Sequence, residues 1–300
     1  MRPLLAAVLV PIFAVVSFAQ KPSGFIRGLW VWKTPTVLAA RGRAEALRDF
    51  CLSQHISEVY VSFSHGGTDS DRAVEEDILA NTIRVLHKSN IRVEALLSSS
   101  DADEPGKHRD KLLGHIRDVV QFNQDHRNTA FDGVHLDIEP QQRPENKGPG
   151  NLNFLPGLVD TYRDARRLAA SAQLTIAADI PNKLLKGDLD QRHSLLTSLP
   201  QFTLMLYELS SPSGGQTTQQ KEEKLRSESK KFIEMAYQGL NDRNLAKMAI
   251  GLRTPDYEDL LPRMLTTIDD SLRDNPHYLG WAWHSWNDQL KAPPAGAPAQ

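Results

Sequence analysis

Three observations in the sequence predict an α/β fold, a single (β/α)8 TIM barrel. Short apolar or β-branched runs alternate along the chain with segments whose apolar residues recur every three or four positions. The alternation occupies residues 20–290, a length suited to one closed eightfold barrel. The stretch after the first run, Trp30-Val31-Trp32-Lys33-Thr34-Pro35, is not the glycine-rich phosphate loop that an open doubly wound sheet usually places there.

The elements follow in order. Residues 26–32 form a short apolar run, and Ala44, Leu47 and Cys51 begin a helical stripe. Residues 58–63 (Glu-Val-Tyr-Val-Ser-Phe) are β-branched and aromatic, and Val74, Ile78, Ile83 and Leu86 keep an approximate helical period. A third strand, 91–97, precedes Leu112, Ile116, Val119 and Val120. A fourth, 133–138, precedes a helix carried by Leu155, Leu158, Tyr162, Ala165 and Leu168. Strands at 174–180 and 202–207 flank a weaker helix at 191–196. The series closes with a helix at 224–240, a strand at 248–252, a helix at 260–272 and a strand at 278–283. Regular alternation of this kind implies parallel strands joined by helical crossovers.

The two ends read differently. Arg2 followed by the apolar run from Leu4 to Phe18 and the small-x-small triplet Ser17-Phe18-Ala19 has the form of a cleaved signal peptide over residues 1–19. The run is shorter than the roughly 20 apolar residues that span a bilayer. Export to the periplasm or the extracellular space is therefore expected, without stable membrane insertion after cleavage. Residues 291–300 are rich in Ala and Pro, lack any apolar period and read as a disordered tail. A formal charge of −2 argues against a nucleic-acid partner. The one cysteine, Cys51, precludes an intramolecular disulfide and sits in an apolar stretch that suits core filler better than a nucleophile.

A parallel barrel collects its chemistry at the C-terminal ends of its strands. The polar residues there are Lys33, Ser64 and His65, Ser98, Asp137 and Glu139, Asp179, Tyr207 and Glu208, Arg253, and Trp283 with His284. The fourth strand is the most informative. Side chains on a strand alternate faces, so Val134, Leu136 and Ile138 suit the surrounding helices while His135, Asp137 and Glu139 point inward. Ionisable groups about 6–7 Å apart along one strand are costly to bury without purpose. Crowded carboxyls push one another's pKa values apart, and one of them can then act as a general acid near neutral pH.

Asp132-x-x-His135-x-Asp137-x-Glu139 resembles the D-x-x-D-x-D-x-E motif of glycoside hydrolase family 18, the chitinase type, on the same fourth strand. Met205-Leu206-Tyr207-Glu208 is similar to that family's sixth-strand M-x-Y-D, and Gly280-Trp281-Ala282-Trp283 to its eighth-strand tryptophan segment. The resemblance implies a carbohydrate substrate, Glu139 as the proton donor to the leaving sugar oxygen, Asp137 and Tyr207 holding the substrate's N-acetyl group, and Trp283 as the floor of the pocket. It also implies a substrate-assisted reaction with the acetamido oxygen as internal nucleophile. No cofactor is called for. Three departures stand out: His135 in place of an aspartate, Glu208 in place of aspartate, and Leu97-Ser98-Ser99-Ser100 in place of the third-strand serine-and-glycine signature.

Other readings of the same residues stay open at this level. Glu139 with Asp179 or Glu208 could form a two-carboxylate glycosidase. His135, Asp137 and Glu139 could ligate a divalent metal in a metal-dependent hydrolase, although alternate residues on one strand fan apart rather than converge. A binding barrel without catalysis would use Trp30, Trp32, Trp281, Trp283 and Trp286 as a sugar-stacking wall between neighbouring strands. Arg253, Asp179, His135, Glu208, Trp32 and Trp283 are the candidate substrate-binding residues on any of the carbohydrate readings.

Overall fold

The computed structural model describes residues 24–63, 69–148, 150–207 and 215–290. Expectations for the leader at 1–19 and the tail at 291–300 lie outside the described residues. Eight strands, β1 (Ile26–Val31), β2 (Glu58–Ser62), β3 (Arg92–Ser99), β4 (Gly133–Ile138), β5 (Thr175–Pro181), β6 (Gln201–Met205), β7 (Lys247–Arg253) and β8 (Tyr278–His284), close into a barrel in sequence order. Every neighbouring pair is parallel, including the closing pair β8–β1. The crossovers carry α1 (Arg43–Ser53), α2 (Asp69–His87), α3 (Lys107–Asp125), α4 (Leu155–Ser171), α5 (Leu189–Ser198), α6 (Thr218–Tyr237) and α7 (Leu261–Leu272). Among the described residues no helix is long and apolar enough to cross a membrane.

The period-2 pattern of the strands divides the interior in two. Outward residues such as Leu29, Val61, Val93, Leu136, Ile180, Leu204 and Ile250 join Leu47, Ile83, Ile116, Tyr162, Leu196, Ile233 and Ile268 of the helices in one continuous core. Each such side chain, taken fully out of water, contributes about 1.5–3 kcal/mol. Cys51 is buried in that layer, and burial raises its thiol pKa away from the reactive range, as core filler requires. Inside the barrel the apolar set is much smaller: Trp30, Tyr60, Leu96 and Ala282, with Trp32 packed against them.

Two helices begin where their caps dictate. Thr217 and Gln220 form a reciprocal capping box, so α6 starts several residues before the apolar period at 224 becomes visible. Asp188 and Gln191 do the same for α5, the helix with the weakest apolar pattern in the sequence.

The base of the barrel is polar and ionic. Arg92 donates to Thr175 Oγ1 (3.0 Å) and lies between Glu58 (3.4 Å), Glu94 (3.7 Å) and Asp132 (3.8 Å). Asp132, the first residue of the fourth-strand motif, accepts the Val93 N–H (2.7 Å) and pairs with His87 (2.9 Å). Its position just before β4 makes it a structural tie, remote from the C-terminal strand ends.

Closure between β8 and β1 depends on Gly280. Its φ of 135° lies where side chains are rarely tolerated, and an added Cβ would stand 1.9 Å from the Ile26 carbonyl oxygen. Gly280→Ala is expected to destabilise the protein by about 2–5 kcal/mol, read as a lower urea midpoint with unchanged slope.

Candidate active site

The inward rows of β4 and β5 build the site. Their register sets Asp137 directly beside Asp179, with His135 one layer deeper opposite Ala177. His135 is fully buried and stacks on Tyr60 (3.8 Å between ring centroids, 25° between planes). Its Nε2 lies 2.8 Å from Asp179 Oδ1 and its Nδ1 3.4 Å from Glu94 Oε2. The other Asp179 oxygen accepts the Trp30 indole N–H at 2.9 Å. Burial by itself would lower the His135 pKa, but the two flanking carboxylates outweigh it, Asp179 most, and push it up to about 10. His135 is therefore an imidazolium at neutral pH, with both ring nitrogens donating to carboxylates.

Asp137 sits above it, only 9% exposed, and its Oδ1 has no hydrogen-bond partner among the described residues. Burial, then the charges of Asp179 and Glu139, hold its carboxyl well above the usual range, against a smaller opposing effect of His135. Glu139 follows the end of β4 and is half-buried, its backbone N–H donating to the Ser99 carbonyl (2.9 Å). Its pKa is raised by burial and then by Asp179, and the side-chain amides of Gln141 (3.0 Å) and Gln142, which donate to its carboxylate, pull the other way.

Tyr207 stands across the mouth. Its ring lies 5.7 Å from that of His284 and 5.5 Å from the Arg253 guanidinium. Burial and the charges of Asp179, Asp137 and Glu139 keep its hydroxyl protonated. Arg253 also forks onto Asp256 (2.7 Å). Trp32, half-buried at the rim, donates its indole N–H to His284 Nε2 (2.9 Å), while the Asn287 side-chain amide clamps the Trp32 backbone N–H and carbonyl at 2.8 Å each.

No family model matches the chain. No curated protein matches it either. Solved structures do: it is similar to the PgaB (BpsB) glycoside hydrolase domain from Bordetella bronchiseptica, with 11% identity over 90% of this chain and 96% of that one, at a TM-score of 0.54. It is also similar to a chitinase from Bacteroides thetaiotaomicron, with 12% identity over 90% and 93% of the two chains, at a TM-score of 0.56. The likeness is one of fold: a closed (β/α)8 barrel shared with these domains.

The barrel brings Glu139, Asp137, Tyr207, His135, Asp179, Arg253 and Trp32 to its C-terminal end and its upper interior. Glu208 lies outside the described residues, as do Ser64 and His65. Trp283 is the correction. It points away from the barrel interior into the helix layer, where its ring meets Phe50 of α1 (5.2 Å) and its indole donates to Thr254 Oγ1 (3.0 Å). On β8 the inward places belong to Gly280, Ala282 and His284, so no pocket floor forms from Trp283.

The same parity turns Trp281 outward onto Asp269 (3.1 Å), and Trp286 is buried in the outer core. Trp30 lies deep in the barrel. The five-tryptophan wall is thus reduced to Trp32 at the rim. Asp179 has both oxygens engaged, which removes it as the second carboxylate of a conventional pair. The metal reading loses its histidine, because both His135 nitrogens face carboxylates, and among the described residues no three potential ligands converge. Reading the sequence missed Tyr60 and Glu94 as parts of the site and gave Trp30 only a stacking role; all three share the inward parity of their strands, which was the signal available.

Proposed function

We propose that the protein is an exported glycoside hydrolase of the chitinase type, acting on N-acetylhexosamine-containing oligo- or polysaccharides with Glu139 as general acid. One observation carries this reading: Glu139 follows the end of β4 at the barrel mouth, its pKa raised by burial and Asp179, two residues beyond the buried Asp137, whose Oδ1 has no partner among the described residues. A glycosidic oxygen placed against Glu139 would take its proton as the bond to the sugar carbon breaks. Since Asp179 is fully engaged, a nucleophile supplied by the substrate's own acetamido oxygen suits the site. Asp137 and the Tyr207 hydroxyl would hold that acetamido group. Glu139, now a carboxylate, would then take a proton from the water that opens the cyclic intermediate. The apolar leader before the barrel supports export.

Hydrolysis of aryl N-acetylglucosaminides and N-acetylglucosamine oligomers tests the reading, beside other aryl glycosides. Turnover with N-acetylated substrates is expected, and its basic limb should lie above the usual carboxylate range because the raised Glu139 pKa keeps the proton longer. Binding of oligomers by calorimetry without any turnover would point instead to a carbohydrate-binding barrel. Trp32 at the rim and Trp283 in the helix layer should separate in the same assays. Trp32→Ala is expected to weaken oligosaccharide binding about tenfold or more by removing a stacking surface. Trp283→Phe should leave binding unchanged and lower stability by about 1 kcal/mol, the bond to Thr254 being lost.

A further inference from the structure

Position 135 carries a cation where the resembled motif has a carboxylate, and a carboxylate has appeared one strand away. Asp179 is almost completely buried, is register-paired with Asp137, and is fixed at both oxygens, by the Trp30 indole at 2.9 Å and His135 Nε2 at 2.8 Å. Indole nitrogen only donates, and an imidazolium only donates, so Asp179 accepts at both ends, as an ionised carboxylate does. We propose that Asp179 is the positioning residue for the catalytic proton: a buried anion, locked by Trp30 and His135, that keeps that proton on the Asp137–Glu139 pair. It touches no substrate and acts through its neighbours. This inference rests on Glu139 being the acid.

The surroundings fit a charge seated to act on several groups. Asp179 bears electrostatically on Asp137, Glu139 and His135 of β4, Tyr60 of β2, Tyr207 after β6, Tyr162 of α4 and His284 of β8. Among these, Asp137 and Glu139 are the carboxyls, and on both of them Asp179 is the largest charge effect after burial itself. Beyond that circle Glu94 flanks His135 and Arg253 flanks Tyr207. His135 is what lets Asp179 remain an anion in a dry interior, since a buried charge needs a partner. The substitution at 135 and the acid at 179 are thus two halves of one arrangement.

Carboxyl-carbon NMR titration of the full chain tests this without any substrate. The Glu139 signal is assigned by its loss in Glu139→Gln. In Asp179→Asn the Glu139 midpoint should fall by about one unit, and any basic limb of hydrolysis should move down with it. The paired variant His135→Asn/Asp179→Asn removes charge and counter-charge together, which guards against a single variant that fails to fold, and should show a smaller fall of the same sign, because Asp179 lies nearer the acid in charge effect than His135. Nitrogen shifts of wild-type His135 should report an imidazolium at pH 7–8. A Glu139 midpoint unchanged in the folded variant, or a neutral His135 in the wild type, would overturn the proposal. The titration decides it even if no glycoside is ever turned over, so a failure of the hydrolase reading remains separate.

Discussion

Glu139→Gln is expected to reduce hydrolysis by about 10²–10⁴-fold, the contribution of a positioned general acid, while the barrel stays folded. The side chain is half-buried at the rim, and its carboxylate accepts from the amides of Gln141 and Gln142, so an amide fits the same space. The loss should depend on the leaving group. Aryl glycosides whose phenol departs readily need little protonation and should retain more of the wild-type rate than oligosaccharides, whose alkoxide must be protonated as it leaves. A kcat comparison across leaving groups, with circular dichroism to check the fold, measures this. Equal rates for wild type and variant on oligosaccharides would remove Glu139 from the mechanism.

His135→Leu is expected to cost about 3–5 kcal/mol of stability, the range for removing one partner from a buried ion pair. Asp179 and Glu94 would keep their burial and lose the cation between them, and the stacking on Tyr60 would go as well. The same group gives the wild type a pH dependence of definite sign. Its pKa rises from 6.5 in the unfolded chain to about 10 in the folded one, because its gains from Asp179 and Glu94 exceed the cost of burial. The stabilisation is fully present below pH 6.5, declines as pH rises through the window, and is gone above about 10. Urea midpoints measured from pH 6 to 10 should therefore fall in the wild type. In His135→Leu this component of the decline should be missing.

Much of the fold was legible because its signals are local. The alternation of β4, Val134, Leu136 and Ile138 against His135, Asp137 and Glu139, assigns faces by period alone, and the structure keeps those assignments over 134–138, where β4 ends. Helix starts were less legible where the apolar period lagged behind the cap, as at Thr217. The eighth strand misled for a different reason. Gly-Trp-Ala-Trp-His offers large aromatic groups on one parity and small residues with a histidine on the other, and either set could line a barrel. Closure decided it: Gly280 lies against the Ile26 backbone, and the β1–β8 register then sends Trp281 and Trp283 outward and His284 inward.

What the sequence by itself determined is the alternating order of strands and helices, the closed barrel that order implies, and the inward row of acids on its fourth strand. Each follows from side-chain periods that a short window contains. The tertiary structure alone decided which partners those acids have. The bonds from Asp179 to Trp30 and His135 join residues 149 and 44 positions apart, and the charge states of the site depend on those distances and on the water they exclude. A pKa belongs to an environment, and this environment exists only once the closed barrel brings β1, β4 and β5 around one interior.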